Sequence, residues 1–273
     1  MKKAVTLLCL FGALCALRAQ QPKAPPGPPK IQTLIITGQH GHDWKGTTPF
    51  LRQYLEDTGK FEVRVTEEFR GAGPETLAPY DLVLVNYGDR RQAPLRWGER
   101  GETALVNYVR SGKGLVLYHF ALASFEHWPE FEKMSAGNWR PDQGHHSARH
   151  DYKVDIRDAD HPITRGLKKS FAQPNDELYA NLKWQPPETF HVLATAWDDH
   201  ALYVNARQPI PGPGKDEPML WTLNYGQGRI FVTALGHDAA AMKSAGFIVT
   251  LQRGAEWAAT GKVTIPVPPE LAQ

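Results

Sequence analysis

Length, composition and charge limit what this chain can do. It has 273 residues, of which 41% are hydrophobic, with 31 lysines and arginines against 29 aspartates and glutamates. A chain so nearly balanced lacks the concentrated positive charge that binds phosphate backbones, so we expect no nucleic-acid partner. Its length is ample for one large domain with a single core.

The N-terminal segment is typical of a secretory signal peptide. Two lysines precede an apolar run over residues 4–17, and the small Ala19 follows at a cleavage position. The run is too short to span a membrane, so we expect removal of residues 1–19, no stable membrane insertion, and a periplasmic or secreted location. Cys9 and Cys15, the two cysteines of the chain, both lie within it. The mature protein would therefore have neither a disulfide nor a thiolate nucleophile.

Two proline-rich segments flank the predicted domain. Residues 20–30 form a linker with too little apolar content to fold, and residues 263–273 form a tail of similar composition. Residues 31–262 contain neither an internal repeat nor a second boundary. We therefore assign them to one domain.

The first half of this domain alternates predicted strands and helices. Residues 31–38 are a β-branched run ending in glycine, and Thr47, Thr48 and Pro49 then predict the start of a helix that Gly59 closes. Further strands are predicted at 61–67, 80–88 and 114–120, and a helix at 98–111. This alternation predicts an α/β fold with a doubly wound, mainly parallel sheet.

The second half is richer in predicted strands. These are expected at residues 152–156, 191–197, 219–225 and 229–235, and Gly226, Gln227 and Gly228 join the last two as a hairpin. Residues 244–259 predict a closing amphipathic helix. Ligands of such sheets bind beyond the carboxyl ends of the strands, so side chains at those ends are candidate functional residues.

Polar and aromatic side chains stand at three of these strand ends. They are His40, His42 and Asp43 after the first strand, Tyr118 and His119 at the fourth, and His237 and Asp238 after the last. Imidazole coordinates metal ions and transfers protons, so these positions predict a site at one edge of the sheet. The alternatives are that Asp43 caps the next helix, that His119 is a satisfied core residue, and that Asp238 caps the final helix.

Two further segments carry candidate residues. Residues 144–152 place His145, His146 and His150 within six positions, and the sequence DELY places Asp176 beside Glu177. The histidine cluster suits metal ligation, proton transfer or sugar hydrogen bonding. The two acids suit a base or a ligand, with a solvated turn as the alternative.

The ordered set of motifs resembles the trehalose-utilisation, ThuA-like family. The segments that carry the resemblance are ITGQHGHDW, LVLYHFALASFEHWPEFEKM, GNWRPDQGHH, DADHPITRGL, DELY and GQGRIFVTALGHD, which together cover nearly all of residues 31–260. The resemblance implies a flavodoxin-like three-layer sandwich similar to that of the class I glutamine amidotransferases. Those enzymes need a cysteine where this chain has Tyr118, His119 and Phe120. Thiol-based glutaminase chemistry is therefore excluded.

The resemblance also implies a role with trehalose-related or 3-keto disaccharides and glucosides. On this hypothesis His119, Glu177 and His237 are catalytic and could also bind a divalent zinc or manganese ion. The expected substrate-binding residues are His40, His42, Asp43, Tyr118, Trp139, His146 and Asp238. His145 and His150 are expected to be structural. A base and an electrophile beside the sugar carbonyl would suit isomerisation, elimination or hydration.

Two other functions stay open at this point. The first is a non-catalytic carbohydrate-binding or accessory protein, which would hold a sugar with the same histidines and tryptophans. The second is a metal-dependent hydrolase. The sequence contains no HExxH, G-x-S-x-G, Walker or G-x-G-x-x-G motif. Nucleotide-binding and serine-hydrolase functions are therefore excluded.

Overall fold

The computed structural model describes residues 29–89, 96–206 and 208–273. The predicted signal peptide and residues 20–28 of the predicted linker lie outside these described residues. Within the described ranges, every helix is too short or too polar to cross a bilayer.

The first half of the domain has the predicted strands and helices in the predicted order, with one short additional helix (Pro74–Leu77). This half contains β1 (Ile31–Gly38), α1 (Trp44–Glu56), β2 (Phe61–Thr66), α2 (Pro74–Leu77), β3 (Leu82–Tyr87), α3 (Glu99–Arg110) and β4 (Gly114–Tyr118). The middle contains α4 (Pro129–Ser135), β5 (Gly137–Asn138), β6 (His145–His146), β7 (His150–Ile156), β8 (Ser170–Asp176), β9 (Tyr179–Ala180), β10 (Lys183–Trp184) and β11 (His191–Asp198). The chain continues through β12 (Lys215–Tyr225), β13 (Gly228–Thr233) and α5 (Ala245–Thr260).

One sheet of nine strands forms the centre of the described part of the chain, in the order β2-β1-β3-β4-β13-β12-β11-β7-β8. The strands from β2 to β13 pair in parallel. From β13 to β8 every pairing is antiparallel. Because direction alternates there, β8 and β11 run the same way as β13. Their carboxyl ends therefore lie at the same sheet edge as those of the parallel strands, and β7 begins at that edge.

Helices cover both faces of this sheet. All residues of β3 and β4 are buried, as expected for strands covered on two sides. On β13, Phe231 lies against Gly254 of α5, whereas Gly228 lies against Val109 of α3. Positions three apart on a strand face opposite sides, so α5 and α3 occupy different layers. The predicted α/β three-layer sandwich is confirmed.

The predicted start of the first helix is wrong. The helix begins at Trp44 rather than at Thr47–Pro49, and Asp43 caps it by accepting a hydrogen bond from the backbone N–H of Gly46. Pro49 therefore lies inside the helix. Pro49 has no N–H, so the carbonyl of Lys45 lacks its usual partner within the helix. Because Lys45 is exposed, water can hydrogen-bond to this carbonyl, which limits the destabilisation of the helix.

Strand β8 was not predicted from the sequence. Its segment SFAQPND contains Pro174 and several polar residues, which argue against a central strand. The structure places β8 at the edge of the sheet, and its pairing with β7 shifts register between Gln173 and Asp176, so Pro174 has no partner residue there.

The proline-rich tail is folded onto the domain, contrary to the expectation from its composition. The backbone N–H of Lys168 donates to the carbonyl of Leu271, and that of Gln273 donates to the carbonyl of Gly166. Ile265 is buried. The neighbouring loop and α5 supply the contacts that the tail cannot make with itself.

Candidate metal centre at the sheet edge

Four side chains converge where the parallel strands end. They are His42 after β1, His119 after β4, Glu177 after β8 and His237 after β13. Each offers one ligand atom, and these four atoms lie within 4.8 Å of one another. The structure thus brings together His119, Glu177 and His237, and it adds His42, which the sequence hypothesis placed around this set.

The four donor atoms are buried and have no hydrogen-bond partner. The atoms are His42 Nδ1, His119 Nε2, Glu177 Oε2 and His237 Nδ1. His237 Nδ1 and Glu177 Oε2 are 2.9 Å apart, an ion-pair distance when the imidazole is protonated. Buried polar atoms without partners are rare, and four that converge fit the ligand set of a divalent cation. Three imidazole nitrogens and one carboxylate oxygen suit Zn²⁺ or Mn²⁺.

The turn at His119 presents its side chain in a fixed orientation. His119 has a φ of 40°, a left-handed conformation that is uncommon for a residue with a Cβ. Its Nδ1 lies 2.7 Å from the carbonyl oxygen of Ala234, which can only accept, so Nδ1 carries the proton. Nε2 is then the basic nitrogen and faces the cluster. Burial holds the pKa of His119 well below its usual value, so the ring is neutral and can act as a ligand.

The other members of the cluster influence one another's protonation. Burial lowers the pKa of His42 to about 2, and the neighbouring His119 and His237 act in the same direction. Burial also opposes protonation of His237, but its contact with the Glu177 carboxylate outweighs this and raises its pKa. Conversely, the surrounding histidines overcome the effect of burial and hold the pKa of Glu177 below its usual value. Glu177 is therefore the negatively charged member of the set.

His40 supports the loop that carries His42 but does not join the cluster. The side-chain amide of Asn86 donates to the hydroxyls of Thr47 and Thr48, so its Oδ1 faces His40 Nε2, 3.0 Å away, as an acceptor. Nε2 of His40 therefore carries the proton, and its Nδ1 accepts from the backbone N–H of His42 at 3.3 Å. Burial lowers the pKa of His40 to about 4, which keeps this neutral form near pH 7.

Two other predicted substrate-binding residues lie outside the cluster. Asp43 is exposed and caps α1 through Gly46, as the alternative interpretation of that residue expected. Tyr118 is 2% exposed, and its hydroxyl donates to the carbonyl of Gly236, beside His237. Both side chains stabilise the loops on either side of the cluster.

Asp238 also makes local contacts. Its Oδ1 accepts from the backbone N–H groups of Ala240 and Ala241, at 2.8 and 2.9 Å, just before a short 3₁₀ turn over residues 241–243 that precedes α5. Its Oδ2 lies 2.7 Å from the Arg149 guanidinium. The alternative that Asp238 caps the final helix is wrong, because Ser244 caps α5 by accepting from the backbone N–H of Phe247.

His146 and Trp139 lie beside the cluster with Tyr179. His146 Nδ1 is 3.2 Å from Glu177 Oε1, and its ring centroid is 5.2 Å from that of Trp139. The ring of Tyr179 lies 4.3 Å from His119 and 5.4 Å from Trp139. These aromatic rings form a wall next to the ligand atoms. Sequence reasoning missed Tyr179, although it ends the DELY motif and pairs with His146 between β9 and β6.

The remaining histidines of the 144–152 segment have other partners. His145 Nε2 lies 3.2 Å from the buried Asp198, on the side of the strand opposite to His146. His150 Nδ1 lies 3.1 Å from the hydroxyl of Ser147. Both sets of contacts are structural.

Comparisons with known proteins identify the family. The family model described as ThuA, trehalose utilisation, matches residues 32–258. A ThuA-like protein from Parabacteroides merdae has a similar crystal structure, with 33% identity, a TM-score of 0.78, and coverage of 90% of this chain and 95% of that one. A ThuA-like protein from Bacteroides uniformis is 20% identical, with a TM-score of 0.66 over 90% of this chain and 97% of that one.

The fold also occurs within a larger enzyme. A β-galactosidase from Rahnella sp. R3 matches 89% of this chain with 33% of its own length, at 12% identity and a TM-score of 0.55, a likeness of fold alone. A search of curated proteins found no match. Because the family model matches most of the chain, residues 32–258, the chain belongs to the ThuA, or trehalose-utilisation, family.

Proposed function

We propose that this protein is an exported enzyme that acts on trehalose-related keto-sugars by acid–base chemistry assisted by a divalent metal ion. The observation that carries the proposal is the convergence of four buried donor atoms without hydrogen-bond partners at the sheet edge. The family description, trehalose utilisation, supports the substrate class. The apolar run within residues 4–17 supports export, although it lies outside the described residues.

His42, His119, Glu177 and His237 would hold the metal ion. Three of these side chains are imidazoles around one carboxylate, a donor set that suits zinc or manganese. When bound, such an ion acts as a Lewis acid that stabilises negative charge developing on a carbonyl oxygen. In this proposal the catalytic contribution of His119, Glu177 and His237 is therefore to hold and orient that centre.

His146 is the residue that we assign as the proton acceptor. Its Nδ1 faces two acceptors, the Ser147 carbonyl at 2.8 Å and Glu177 Oε1 at 3.2 Å, so Nδ1 carries the proton. Its Nε2 is then basic, and the side chain is 39% exposed at the mouth of the cluster. Nε2 would accept the proton from the carbon beside the sugar carbonyl. The C–H electron pair would form a carbon–carbon double bond, and the π electrons of the carbonyl would move onto its oxygen to give an enolate. This step begins both isomerisation and elimination.

Turnover of a 3-keto sugar tests the proposal directly. The mature chain would be incubated with 3-keto-trehalose in D₂O, with Mn²⁺ or Zn²⁺ and after chelation, while NMR follows deuterium incorporation beside the carbonyl and product formation. We expect metal-dependent turnover that falls by about 100-fold or more in His119→Ala and His146→Gln. His191→Gln is the matched control, because His191 pairs with Asp158 at the opposite end of β11 and should keep wild-type activity.

Each other result excludes part of the proposal. Full turnover by metal-depleted protein would remove the ion from the mechanism. Tight sugar binding without turnover would instead favour a carbohydrate-binding protein, and hydrolysis of an unoxidised disaccharide without deuterium incorporation would favour a metal-dependent hydrolase. Detection of the uncleaved protein in the cytoplasm of its source cell would contradict export.

A further inference from the structure

We propose that Asp176 is the positioning residue of this site, which fixes Glu177 and His237 relative to each other through their backbones. The inference rests on the proposed function for the use of the cluster. The sequence suggested that Asp176, like its neighbour Glu177, could be a base or a metal ligand. In this proposal Asp176 has neither of these roles.

Asp176 binds the main chain on both sides of the cluster. Its Oδ1 accepts from the backbone N–H groups of Glu177 and His237, each at 2.9 Å. Its Oδ2 accepts from the backbone N–H of Gly236 at 2.7 Å and from the side-chain amide of Gln173 at 2.8 Å. Both carboxylate oxygens are thus directed at donors and away from the four ligand atoms.

The burial of Asp176 gives these contacts their importance. Its relative exposure is 0%, so water does not replace a lost partner. Burying a carboxylate destabilises the folded state unless hydrogen-bond donors surround it. Hydrogen bonds to a charged group are also stronger than those to a neutral one. These four donors, with the Tyr152 hydroxyl at 3.5 Å from Oδ2 as a fifth, therefore define the local backbone geometry tightly.

The sheet itself does not set the distance between Glu177 and His237. Glu177 follows β8 at the edge of the sheet, whereas His237 follows β13, and β12, β11 and β7 lie between the two strands. Asp176 joins these separate strand ends directly, and Gln173 adds a second connection by donating to the carbonyl of Ala241 at 3.0 Å. Since ligand geometry must hold within about 0.5 Å, the 2.9 Å approach of His237 Nδ1 to Glu177 Oε2 depends on this connection.

The test is Asp176→Asn, which keeps the shape but replaces one acceptor oxygen by an NH₂ group that faces backbone donors. We expect Co²⁺ affinity to fall by about 10- to 100-fold, as for other residues that orient metal ligands, with an altered visible spectrum of the Co²⁺ protein. In metal-free protein, the amide hydrogens of Gly236 and His237 should exchange faster than in wild type.

Glu256→Gln is the matched control. Glu256 is also a buried carboxylate that accepts backbone N–H groups, those of Thr264 and Ile265, but it lies on α5 away from the cluster. The Glu256→Gln protein should be less stable than wild type but should keep the wild-type Co²⁺ affinity and visible spectrum. Wild-type Co²⁺ binding together with unchanged exchange at residues 236 and 237 in Asp176→Asn would overturn the inference.

Two further measurements separate this inference from the proposed function. If the wild-type protein binds no Co²⁺, the metal centre fails, and amide exchange in the metal-free protein still decides whether Asp176 orders the loop. If Asp176→Asn does not fold, Gln173→Ala replaces it, because it removes one donor from Asp176. That variant should weaken Co²⁺ binding by about 2- to 5-fold and speed exchange at residue 236. Unchanged values of both would contradict the inference.

Discussion

His42 and Asp43 are neighbours in sequence, yet their side chains have different surroundings. His42 turns into the cluster, and Asp43 turns to the surface to cap α1. The chemistry of each residue type was predictable, since imidazole is a common metal ligand and aspartate is a common N-cap. Which way each side chain points depends on the backbone of the loop, and His40 and Asn86 determine that backbone through contacts between β1 and β3.

Glu256 illustrates a residue whose protonation supports the fold. Burial alone would raise its pKa, but the Thr264 hydroxyl, the backbone N–H groups of Thr264 and Ile265, and Lys60 together hold the pKa below its usual 4.5. A carboxyl group whose pKa is lower in the folded than in the unfolded chain adds stability above the unfolded pKa. That contribution is lost as the pH falls through the folded pKa.

We therefore expect the free energy of unfolding to decline below about pH 4.5 and Glu256→Gln to reduce this decline. At pH 7 the variant should be less stable by about 2 kcal/mol, because hydrogen bonds to a charged acceptor are weakened. Urea unfolding of both proteins between pH 3 and pH 7 measures the difference. Parallel curves over that range would show that Glu256 does not contribute to the acid sensitivity.

At the scale of elements, α5 packs unusually close to the sheet. Gly254 lies in its middle, and a Cβ at this position would come within 2.2 Å of the Phe231 ring on β13. A glycine inside a helix costs about 1 kcal/mol relative to alanine, so the sequence alone gives no reason for it. The approach of helix to strand provides the reason.

Gly254→Ala should consequently destabilise the protein despite the better helix propensity of alanine. Overpacking a core costs about 1–3 kcal/mol, which exceeds the propensity gain, so we expect a net loss of about 1–2 kcal/mol. Thermal unfolding measures it, with Gly41→Ala as the control, because no atom lies within 4 Å of a Cβ added there. A Gly254→Ala protein more stable than wild type would show that α5 moves away from the sheet at little cost.

At the scale of the whole molecule, the tail is part of the domain. Within residues 263–266, Thr264 and Ile265 donate to Glu256 of α5, and the Ile265 carbonyl accepts from Arg253. Residues 267–273 hydrogen-bond to the loop after β7. Composition predicted no structure here because a proline-rich segment cannot form a core of its own. Composition does not indicate the backbone hydrogen bonds that the tail makes with residues 166 and 168.

Two truncations separate these contributions. Removing residues 267–273 should cost about 2 kcal/mol, for two backbone hydrogen bonds with their packing. Removing residues 263–273 should cost more, because it also takes from buried Glu256 its hydrogen bonds to Thr264 and Ile265, and from Arg253 the Ile265 carbonyl. Calorimetry should show Tm decreasing in that order by roughly 2–4 °C per kcal/mol. Equal Tm values for the full and truncated chains would contradict the inclusion of the tail in the domain.

Local patterns in the sequence specify the class of the fold and the sheet edge at which the candidate residues lie. Alternation of apolar runs with glycine-bounded helices predicted the parallel strands, and histidines at their ends predicted a site at that edge, because local periodicity and strand direction govern both. The edge strand β8 was not predictable, since its polar residues and Pro174 are tolerated only at a sheet edge.

Which candidate residues lie together depends on the three-dimensional fold. The cluster includes His42, while Asp43, Tyr118 and Asp238 stabilise the loops around it. Glu177 approaches His237 because β8 runs in the same direction as β13, and Asp176 joins their ends. Distances between residues far apart in the chain depend on sheet order and backbone hydrogen bonds, which no local pattern in the sequence specifies.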